Sequence, residues 1–390
     1  MKIAILTSGI LPVPAVKGGA VENLIDFYLD YNNCHRLYDI TVYSVWHPEV
    51  KNHPSLKSEV NHYVYINVTN WWARIRKYIY KELHPHGYYH YSIEYFLHEI
   101  KKNIKKENFD LIIIENRPGF ILSLDRSSDT TYFLHLHNDF LNQATKRAME
   151  IYDSFDRIIN VSNFITNRVN LIRIACKKGT TVYNAININL FSHEETIMRN
   201  QLGLSIHDFI VAYSGRLNEE KGILPLIQAI KQLGSIPNCK LLIIGASSYG
   251  KDKRPTPFIK QLMKEAESIK EQVIFTGFIN YQQVPSYLKM ADIAIVPSMW
   301  EEPFGLTVVE AMAAGLPLIT TRSGGIPEIC ENVATIVDRD NIADNLATAI
   351  LDLYEHPKKR KQMAAAGLSH AKLFDKDTYA KNFFKALENI

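Results

Sequence analysis

The sequence predicts an α/β protein built from two doubly wound, Rossmann-like domains in tandem. Short β-branched or aromatic runs alternate with helical patterns, which is typical of parallel sheets covered by helices on both faces. The alternation starts afresh after residues 186–200. A chain of 390 residues with 46% hydrophobic residues is also long enough to bury two cores.

The elements of the first half follow from these runs. Helical patterns cover 19–32 and 92–107. Strands are expected at 2–8, 39–45, 110–116, 131–137, 157–162 and 180–185. Only the stretch 60–95 does not fit the alternation, so no element is assigned to it from this pattern.

The second half repeats the scheme. Strands are expected at 208–216, 239–246, 272–278, 293–298, 315–321 and 334–338. The domains are therefore placed at 1–190 and 191–374, followed by an amphipathic helix over 375–390. The aromatic residues Tyr379, Phe383 and Phe384 of that helix either contact the N-terminal domain or pack on the helix's own domain.

Composition excludes several classes of protein. Lys and Arg number 44 against 41 Asp and Glu, a net charge of +3, which argues against a protein that coats nucleic acid. The four cysteines form no C-x-x-C pair, as expected of isolated thiols in a reducing cytoplasm. The apolar run at the N-terminus is too short for a signal peptide, and no 18 consecutive apolar residues occur. We therefore expect a cytoplasmic protein that at most touches a membrane surface.

Ligands of open α/β sheets bind beyond the carboxyl ends of the strands, so the residues there are the candidates. Gly18 and Gly19 follow the first strand and open a helix, where backbone N–H groups could approach an anion or a sugar. A flexible turn is the alternative, because the full G-x-G-x-x-G pattern is missing. If the two domains face each other, the binding site is the cleft between them.

Arg216 and Lys221 follow the first strand of the second series, and Gly222 then opens a helix. Two cations across a tight turn can neutralise one doubly charged group, such as a diphosphate that leaves as its bond breaks. Exposed loop charges are the alternative interpretation.

His135 and His137 lie near the end of the strand at 131–137. We expect alternation along the strand to point the two imidazoles to opposite faces, so that they do not act as a pair. His137, the last of the two, is expected to reach a ligand, whereas His135 is expected to be a hydrogen-bonded core residue.

Glu302 and Glu310 flank a Pro-Phe-Gly turn and a helix of small residues. They could be a general acid and base pair, two solvated charges, or groups that hold a ligand. A helix that begins at Gly305 directs the positive end of its dipole at an anion.

Together these segments resemble a known family. "GRLNEEKG" at 215–222 and "PSMWEEPFGLTVVEAMAAGLPLITTRSGGIPE" at 297–328 are similar to motifs of family 4 glycosyltransferases, which are retaining enzymes with the two-domain GT-B architecture. The resemblance extends over nearly the whole chain through "GGAVENL", "HND", "VSNFI" and "VYNAININLF". It is nearest to bacterial surface-polysaccharide and spore-coat types.

The resemblance implies a role for each motif residue. Arg216 and Lys221 would hold the diphosphate of a nucleotide sugar, Glu302 would touch the donor sugar, and Glu310 would bind the ribose. His137 would face the sugar from the N-terminal domain. The other implied donor-binding residues are Gly18, Gly19, Gly215, Gly277, Phe278, Ile279, Phe304, Gly305, Leu306 and Thr307.

The resemblance also implies metal-independent chemistry, because no Asp-x-Asp cradle follows a strand. The two cations and the helix dipoles would replace Mg²⁺, and no cofactor is expected. A diphosphate oxygen would take the proton of the acceptor hydroxyl, so the two glutamates are not a hydrolase's acid and base. Lys221→Ala is expected to abolish turnover and leave thermal stability nearly unchanged.

Two other functions remain open. A nucleotide-sugar epimerase of the same fold would need acid and base groups in the N-terminal domain, where His137, Asp139 and Glu115 are the candidates. A catalytically idle coat or binding protein would be expected to have a broken donor site. The expected partners of the transferase are a nucleotide sugar and a glycan, lipid-linked or protein acceptor, with no nucleic acid.

The stretch 60–95 contains one aromatic and basic cluster: Trp71, Trp72, Arg74, Arg76, Lys77 and Lys81. Such a cluster could lie on an anionic membrane, line an acceptor groove, or pack within the domain. His84, His86 and His90 are a weaker zinc candidate, because no carboxylates flank them.

Overall fold

The structure, a computed structural model, describes residues 1–83, 91–192, 199–234, 236–246 and 256–388. The chain divides into two compact units. The first unit consists of Met1–Asn184 and Lys376–Ile390, and the second of Ala185–Asp375. The division after residue 184 precedes the expected domain boundary after residue 190.

The first unit contains a parallel sheet flanked by helices. Its elements are β1 (Lys2–Leu6), α1 (Ala20–His35), β2 (Asp39–Val45), β3 (Asn61–Ile66), α2 (Trp71–Leu83), α3 (Tyr91–Ile104), β4 (Leu111–Glu115), β5 (Thr131–Leu136), α4 (Ala148–Asp153), β6 (Arg157–Asn160), α5 (Asn163–Asn170) and β7 (Gly179–Thr181). The strand order is β3-β2-β1-β4-β5-β6-β7. The order reverses between β1 and β4, as in doubly wound sheets.

Strand β3 was not assigned from the sequence. It lies at the edge of the sheet and pairs with β2 alone. Three of its residues, Tyr63, Val64 and Tyr65, are half-buried, and His62 is exposed. An edge strand whose side chains are only partly buried needs no continuous apolar run, so the pattern that revealed the central strands is missing here.

The second unit repeats this arrangement. Its elements are α6 (Ile188–Ser192), β8 (Phe209–Ser214), α7 (Ile223–Lys231), β9 (Cys239–Ile244), α8 (Pro257–Ala266), β10 (Val273–Phe275), α9 (Val284–Leu288), β11 (Ile293–Val296), α10 (Leu306–Ala313), β12 (Leu318–Thr321), α11 (Ile326–Cys330), β13 (Thr335–Val337), α12 (Ile342–Glu355) and α13 (Pro357–Ala371). The parallel strands follow the order β10-β9-β8-β11-β12-β13.

The core of the second unit lies where helices cover this sheet. Helices α7 and α12 pack together through buried residues that include Leu226, Ile230, Leu346 and Ile350. Because the sheet is covered on both faces, its central strands read as continuous apolar runs, and this is why the sequence located them.

The last helix, α14 (Lys376–Glu388), belongs to the first unit. It packs against α1, where the rings of Phe383 and Tyr28 stack with centroids 4.2 Å apart and planes 6° apart. Tyr379, Phe383 and Phe384 are all buried. The chain therefore leaves the second unit at Asp375 and ends in the first.

None of the helices in the described parts of the chain is long and apolar enough to cross a membrane.

Candidate functional site

The second sheet reverses its strand order between β8 and β11, and the loops after these two strands are joined by an ion pair. Lys221, from the loop after β8, donates through Nζ to Oε1 of Glu302 at 2.5 Å. Ser298, two residues beyond the end of β11, donates its hydroxyl to the same oxygen at 2.8 Å. The candidate site thus lies where doubly wound folds bind ligands.

Two glycines allow the close approach of backbone that this geometry requires. Gly222 has φ 69°, and a Cβ there would lie 1.8 Å from the carbonyl oxygen of Pro297. Gly324 has φ 53°, and a Cβ there would lie 2.2 Å from the carbonyl oxygen of Glu302. Any side chain at these positions would push Lys221 or Glu302 away from the other.

The two cations of this loop differ in how they are held. Lys221 is mostly buried and also lies 5.3 Å from the ring centroid of Trp300. Arg216 is exposed, and its guanidinium makes no hydrogen bond or ion pair with any described residue. Its backbone is held nonetheless, because the Tyr213 hydroxyl donates to the Arg216 carbonyl at 2.7 Å. One cation is pre-positioned and the other is available to an anion.

The bonding of Lys221 argues against one expectation from the sequence, that Lys221→Ala leaves thermal stability nearly unchanged. Glu302 is only 6% exposed, so Lys221→Ala would leave its carboxylate buried without a countercharge. Removing one partner of a buried pair destabilises a protein, so stability would not stay nearly unchanged.

Helix α10 begins directly after the Glu302 loop. Gly305 precedes it with φ 107° and no side chain caps the helix, so the N–H groups of Leu306 and Thr307 have no side-chain partner at this end. Leu306 and Thr307 form the first turn. Phe304, in contrast, is buried, and its ring centroid lies 5.7 Å from that of Phe374, so its side chain is part of the hydrophobic core.

Glu310 lies further along α10 and is only 7% exposed. Burial raises the pKa of Glu310 to about 7, and a hydrogen bond from the Tyr281 hydroxyl partly opposes this. Glu302 and Glu310 are both buried, so the interpretation as two solvated charges is wrong. Glu302 accepts hydrogen bonds from Lys221 and Ser298, and the choice between an acid and base pair and a ligand-holding role stays a prediction.

The segment after β10 contains the other predicted residues. Gly277 has φ 71° and forms an isolated bridge with Gly245, while Phe278 is 53% exposed. The sequence interpretation missed Tyr281, which lies close behind and binds Glu310. It also missed Ser298 and Trp300, although their place shortly after β11 was a usable signal.

In the first unit, the expectation that His135 and His137 point to opposite faces is wrong. Their ring centroids lie 4.2 Å apart, and both imidazoles bind Glu115. Residues i and i+2 of a strand share a face, and His137 directly follows the strand that carries His135. The two histidines therefore form one cluster with the last residue of β4.

Glu115 is fully buried at the centre of that cluster. Nε2 of His137 lies 2.8 Å and Nδ1 of His135 3.2 Å from its oxygens, and the Tyr28 hydroxyl donates at 2.9 Å. Burial opposes ionisation, but the charge of His135 and the hydrogen bonds from both imidazoles outweigh it and lower the pKa of Glu115 to about 2. The carboxylate is thus ionised at neutral pH.

His137 has a defined proton arrangement as a result. Burial and the nearby His135 lower the pKa of His137 to about 4, so the ring is neutral at pH 7. Because Glu115 can only accept, Nε2 of His137 carries the proton and Nδ1 is a bare acceptor. This Nδ1 is buried and has no partner among the described residues.

The same three side chains are close enough to hold a metal ion, with one ligand atom from each within 4.8 Å of the others. However, the oxygens of Glu115 already accept hydrogen bonds from Tyr28 and both imidazoles. The outward nitrogens of the histidines also lack the partners that usually orient metal ligands. The contacts favour a hydrogen-bonded cluster. The weaker zinc candidate, at 84–90, falls outside the described residues.

A carboxylate lies where the glycine pair opens helix α1. Gly19 has φ 111°, and a Cβ there would lie 2.2 Å from Oε2 of Glu22. Glu22 is buried, and burial raises its pKa. Gly18 has open space around it. A phosphate at this helix end would meet the Glu22 carboxyl, whereas a sugar hydroxyl could donate to it. The sequence interpretation missed Glu22, three residues after Gly19.

The chain is similar to several known proteins. Residues 194–370 match the family model described as glycosyl transferases group 1, a segment that includes Arg216, Lys221, Glu302 and Glu310. Spore coat protein SA of Bacillus subtilis is 28% identical over 93% of this chain and 92% of its own length. Lipopolysaccharide 1,2-N-acetylglucosaminetransferase of Salmonella typhimurium is 26% identical over 74% of this chain and 75% of its own.

A solved structure shares the fold over the full length of both chains. Anabaena HepE, crystallised with UDP and glucose, aligns with a TM-score of 0.73 and 21% identity, covering 100% of each chain. The predicted class, two Rossmann-like α/β domains of the GT-B fold, is confirmed.

Proposed function

We propose that the protein is a retaining glycosyltransferase of family 4, which moves a sugar from a nucleotide diphosphate sugar to a hydroxyl acceptor. The match of 194–370 to glycosyl transferases group 1 supports this proposal. One observation of the site carries it: Lys221 and Glu302 are paired at the strand-order reversal, beside an unpaired Arg216 and an uncapped helix.

In the proposed reaction, Arg216 and Lys221 bind the diphosphate of the donor. The bond from the anomeric carbon to the phosphate oxygen breaks, and the diphosphate leaves with the electron pair. The growing negative charge is offset by the two cations and by the N–H groups at the start of α10. Lys221 is already held by Glu302, so little reorganisation is needed during the reaction.

Glu302 is proposed to orient the donor sugar. Both of its hydrogen bonds, from Lys221 and Ser298, go to Oε1, which leaves Oε2 without a partner among the described residues. A sugar hydroxyl can donate to Oε2. The acceptor hydroxyl then attacks the anomeric carbon from the face the diphosphate leaves, and its proton passes to a diphosphate oxygen.

Glu310 is proposed to accept hydrogen bonds from the ribose, and the Gly277–Ile279 segment to contact the base. His137 is proposed to accept a hydrogen bond from a substrate hydroxyl through Nδ1, which is buried and bare. Glu115 acts as a positioning residue, because its bond to Nε2 selects this tautomer.

The relatives support a narrower proposal about the pathway. Spore coat protein SA and the lipopolysaccharide transferase are named for a bacterial coat and a surface glycan. HepE was solved with UDP and glucose. We therefore propose a cytoplasmic enzyme of cell-surface glycan or coat assembly, with a glycan, lipid-linked or protein acceptor and no metal cofactor.

The test is a panel of UDP, GDP and dTDP sugars incubated with the folded protein in the presence and absence of EDTA. Transfer or slow hydrolysis of at least one donor, insensitive to EDTA, is expected. Interconversion of nucleotide sugars without release of nucleotide would identify an epimerase instead. A folded protein that neither binds nor turns over any donor would identify the idle coat or binding protein.

A further inference from the structure

Helix α2 exposes an unusual amount of apolar surface. Of its residues only Ala73 is buried. Large side chains protrude instead: Trp71 is 59% exposed, Trp72 60%, Tyr78 68% and Leu83 68%, with Ile75 and Ile79 also exposed. Packing within the described chain therefore does not explain these residues, and contiguous apolar patches of this kind mark interaction sites.

The exposed residues lie on one side of the helix. Successive residues are rotated by about 100°. Ala73 and the half-buried Arg76, Lys77 and Tyr80 thus share the inner side. The opposite side, here called the α2 outer face, consists of Trp71, Trp72, Arg74, Ile75, Tyr78, Ile79, Lys81, Glu82 and Leu83.

The inner side is held by specific contacts. Arg76 forms a two-pronged bond with the carboxylate of Glu94 on α3, with distances of 2.9 to 3.0 Å. Lys77 donates through Nζ to the Val68 carbonyl at 3.1 Å. These contacts fix the helix so that its outer face stays exposed.

Charge on the α2 outer face lies beside the apolar side chains. Along one edge, Trp71, Arg74, Tyr78 and Lys81 alternate aromatic and cationic groups at helical spacing, and Trp72, Ile75, Ile79 and Leu83 form the other edge. Arg74 makes no ion pair with a described residue. The α2 outer face carries two cations, Arg74 and Lys81, and one anion, Glu82. Trp and Tyr favour membrane interfaces, and Lys and Arg favour anionic headgroups.

A groove of about 590 Å³ runs between α2 and α3. Its α2 side is lined by Trp72, Ile75, Ile79 and Leu83 together with Arg76 and Tyr80, and its α3 side mostly by polar and charged residues. An acceptor glycan would use the flat face of the Trp72 ring, but it would leave the aliphatic side chains of Ile79 and Leu83 in water. A surface that is both aliphatic and cationic fits a bilayer interface better.

We propose that the α2 outer face docks on an anionic lipid bilayer, with Trp72, Ile75 and Ile79 entering the interface and Arg74 and Lys81 contacting lipid phosphates. A helix of 13 residues lying flat covers about 20 Å of surface. This places the first unit on the membrane surface without a spanning segment. The proposal does not depend on the proposed transferase reaction.

Sedimentation of the full chain with vesicles tests the proposal directly. The wild type is expected to sediment with phosphatidylcholine vesicles that contain phosphatidylglycerol, and much less with phosphatidylcholine alone. High salt is expected to release it, because surface charges are screened. The paired substitution Trp72→Ser and Ile79→Ser is expected to weaken binding by more than about tenfold.

Charge and control variants sharpen this test. Arg74→Gln and Lys81→Gln are expected to lower the affinity for anionic vesicles by about fivefold each. Ile206→Ser removes an aliphatic residue that is 82% exposed in the second unit, and its binding is expected to equal the wild type.

Three results would overturn the proposal. The first is a wild type that does not sediment with anionic vesicles, and the second is a Trp72→Ser, Ile79→Ser variant that sediments like the wild type. The third is a stable dimer in solution that this variant dissociates, because the face would then bind a second copy. Circular dichroism of each variant separates a lost surface from a lost fold.

Discussion

Glu310→Gln is expected to stabilise the second unit at neutral pH and, at the same time, to weaken nucleotide binding. Glu310 is buried on α10, and burial raises its pKa to about 7. Gln keeps the shape of the side chain and can still accept the Tyr281 hydroxyl, but it has no charge to bury. A gain in stability together with a loss of nucleotide affinity is expected only if the buried carboxylate binds the nucleotide.

The size of the stability effect follows from the pKa. The raised value in the folded state, about 7 against an ordinary 4.5, means that the folded protein holds this proton more tightly than the unfolded chain. Glu310 therefore costs nothing below pH 4.5, and its cost grows to about 3 kcal/mol as pH rises through 7. For a unit of this size that corresponds to roughly 6 to 12 °C in Tm.

Differential scanning calorimetry of wild type and Glu310→Gln from pH 4 to pH 8 measures this difference. The Tm of the variant should rise above the wild type as pH increases, and the two should converge at pH 4. Nucleotide affinity of the wild type should increase with pH through 7, whereas the variant should bind about tenfold more weakly without that dependence. A Tm difference that is independent of pH, or a variant that binds nucleotide like the wild type, would refute the reasoning.

Three further predictions concern other parts of the molecule. Lys221→Met should remove transfer activity and also lower the Tm of the second unit, because Glu302 loses its countercharge. A variant with an unchanged Tm would show that the 2.5 Å ion pair between Lys221 and Glu302 does not form in solution. Glu115→Gln should lower the unfolding free energy of the first unit at pH 7, measured by urea unfolding. Because the pKa of Glu115 is depressed to about 2, the difference in unfolding free energy from wild type should be complete above pH 4.5 and should vanish as pH falls through 2. A difference that does not change with pH would contradict this. Phe383→Ala should cost about 3 to 5 kcal/mol of unfolding free energy in the first unit, since the ring is fully buried against α1, whereas Lys381→Ala on the exposed side of α14 should cost little.

The sequence located most of the sheet because central parallel strands are covered on both faces and so read as apolar runs. It did not locate β3, an edge strand whose side chains are only partly buried. The loop residues Arg216, Lys221 and Glu302 were recognisable from the motifs that carry them.

Contacts between segments that are distant in the sequence could not be predicted from local patterns. The clustering of Glu115 with His135 and His137 depends on β4 lying beside β5, and the two histidines share a face because side chains of a strand alternate with a period of two. The bond from Tyr281 to Glu310 joins segments that no local pattern connects.

Arg216 and Lys221, beside the start of α10, are proposed to form a diphosphate site. Isothermal titration calorimetry with UDP, GDP, dTDP and the matching monophosphates tests this site most directly. The proteins to compare are the wild type, Arg216→Ala and the control Lys270→Ala, which removes an exposed cation elsewhere in the second unit. At least one diphosphate should bind more tightly than its monophosphate, and Arg216→Ala should reduce that affinity by about ten- to a hundredfold while Lys270→Ala does not. Equal binding of diphosphate and monophosphate, or an Arg216→Ala protein that binds like the wild type, would contradict the account.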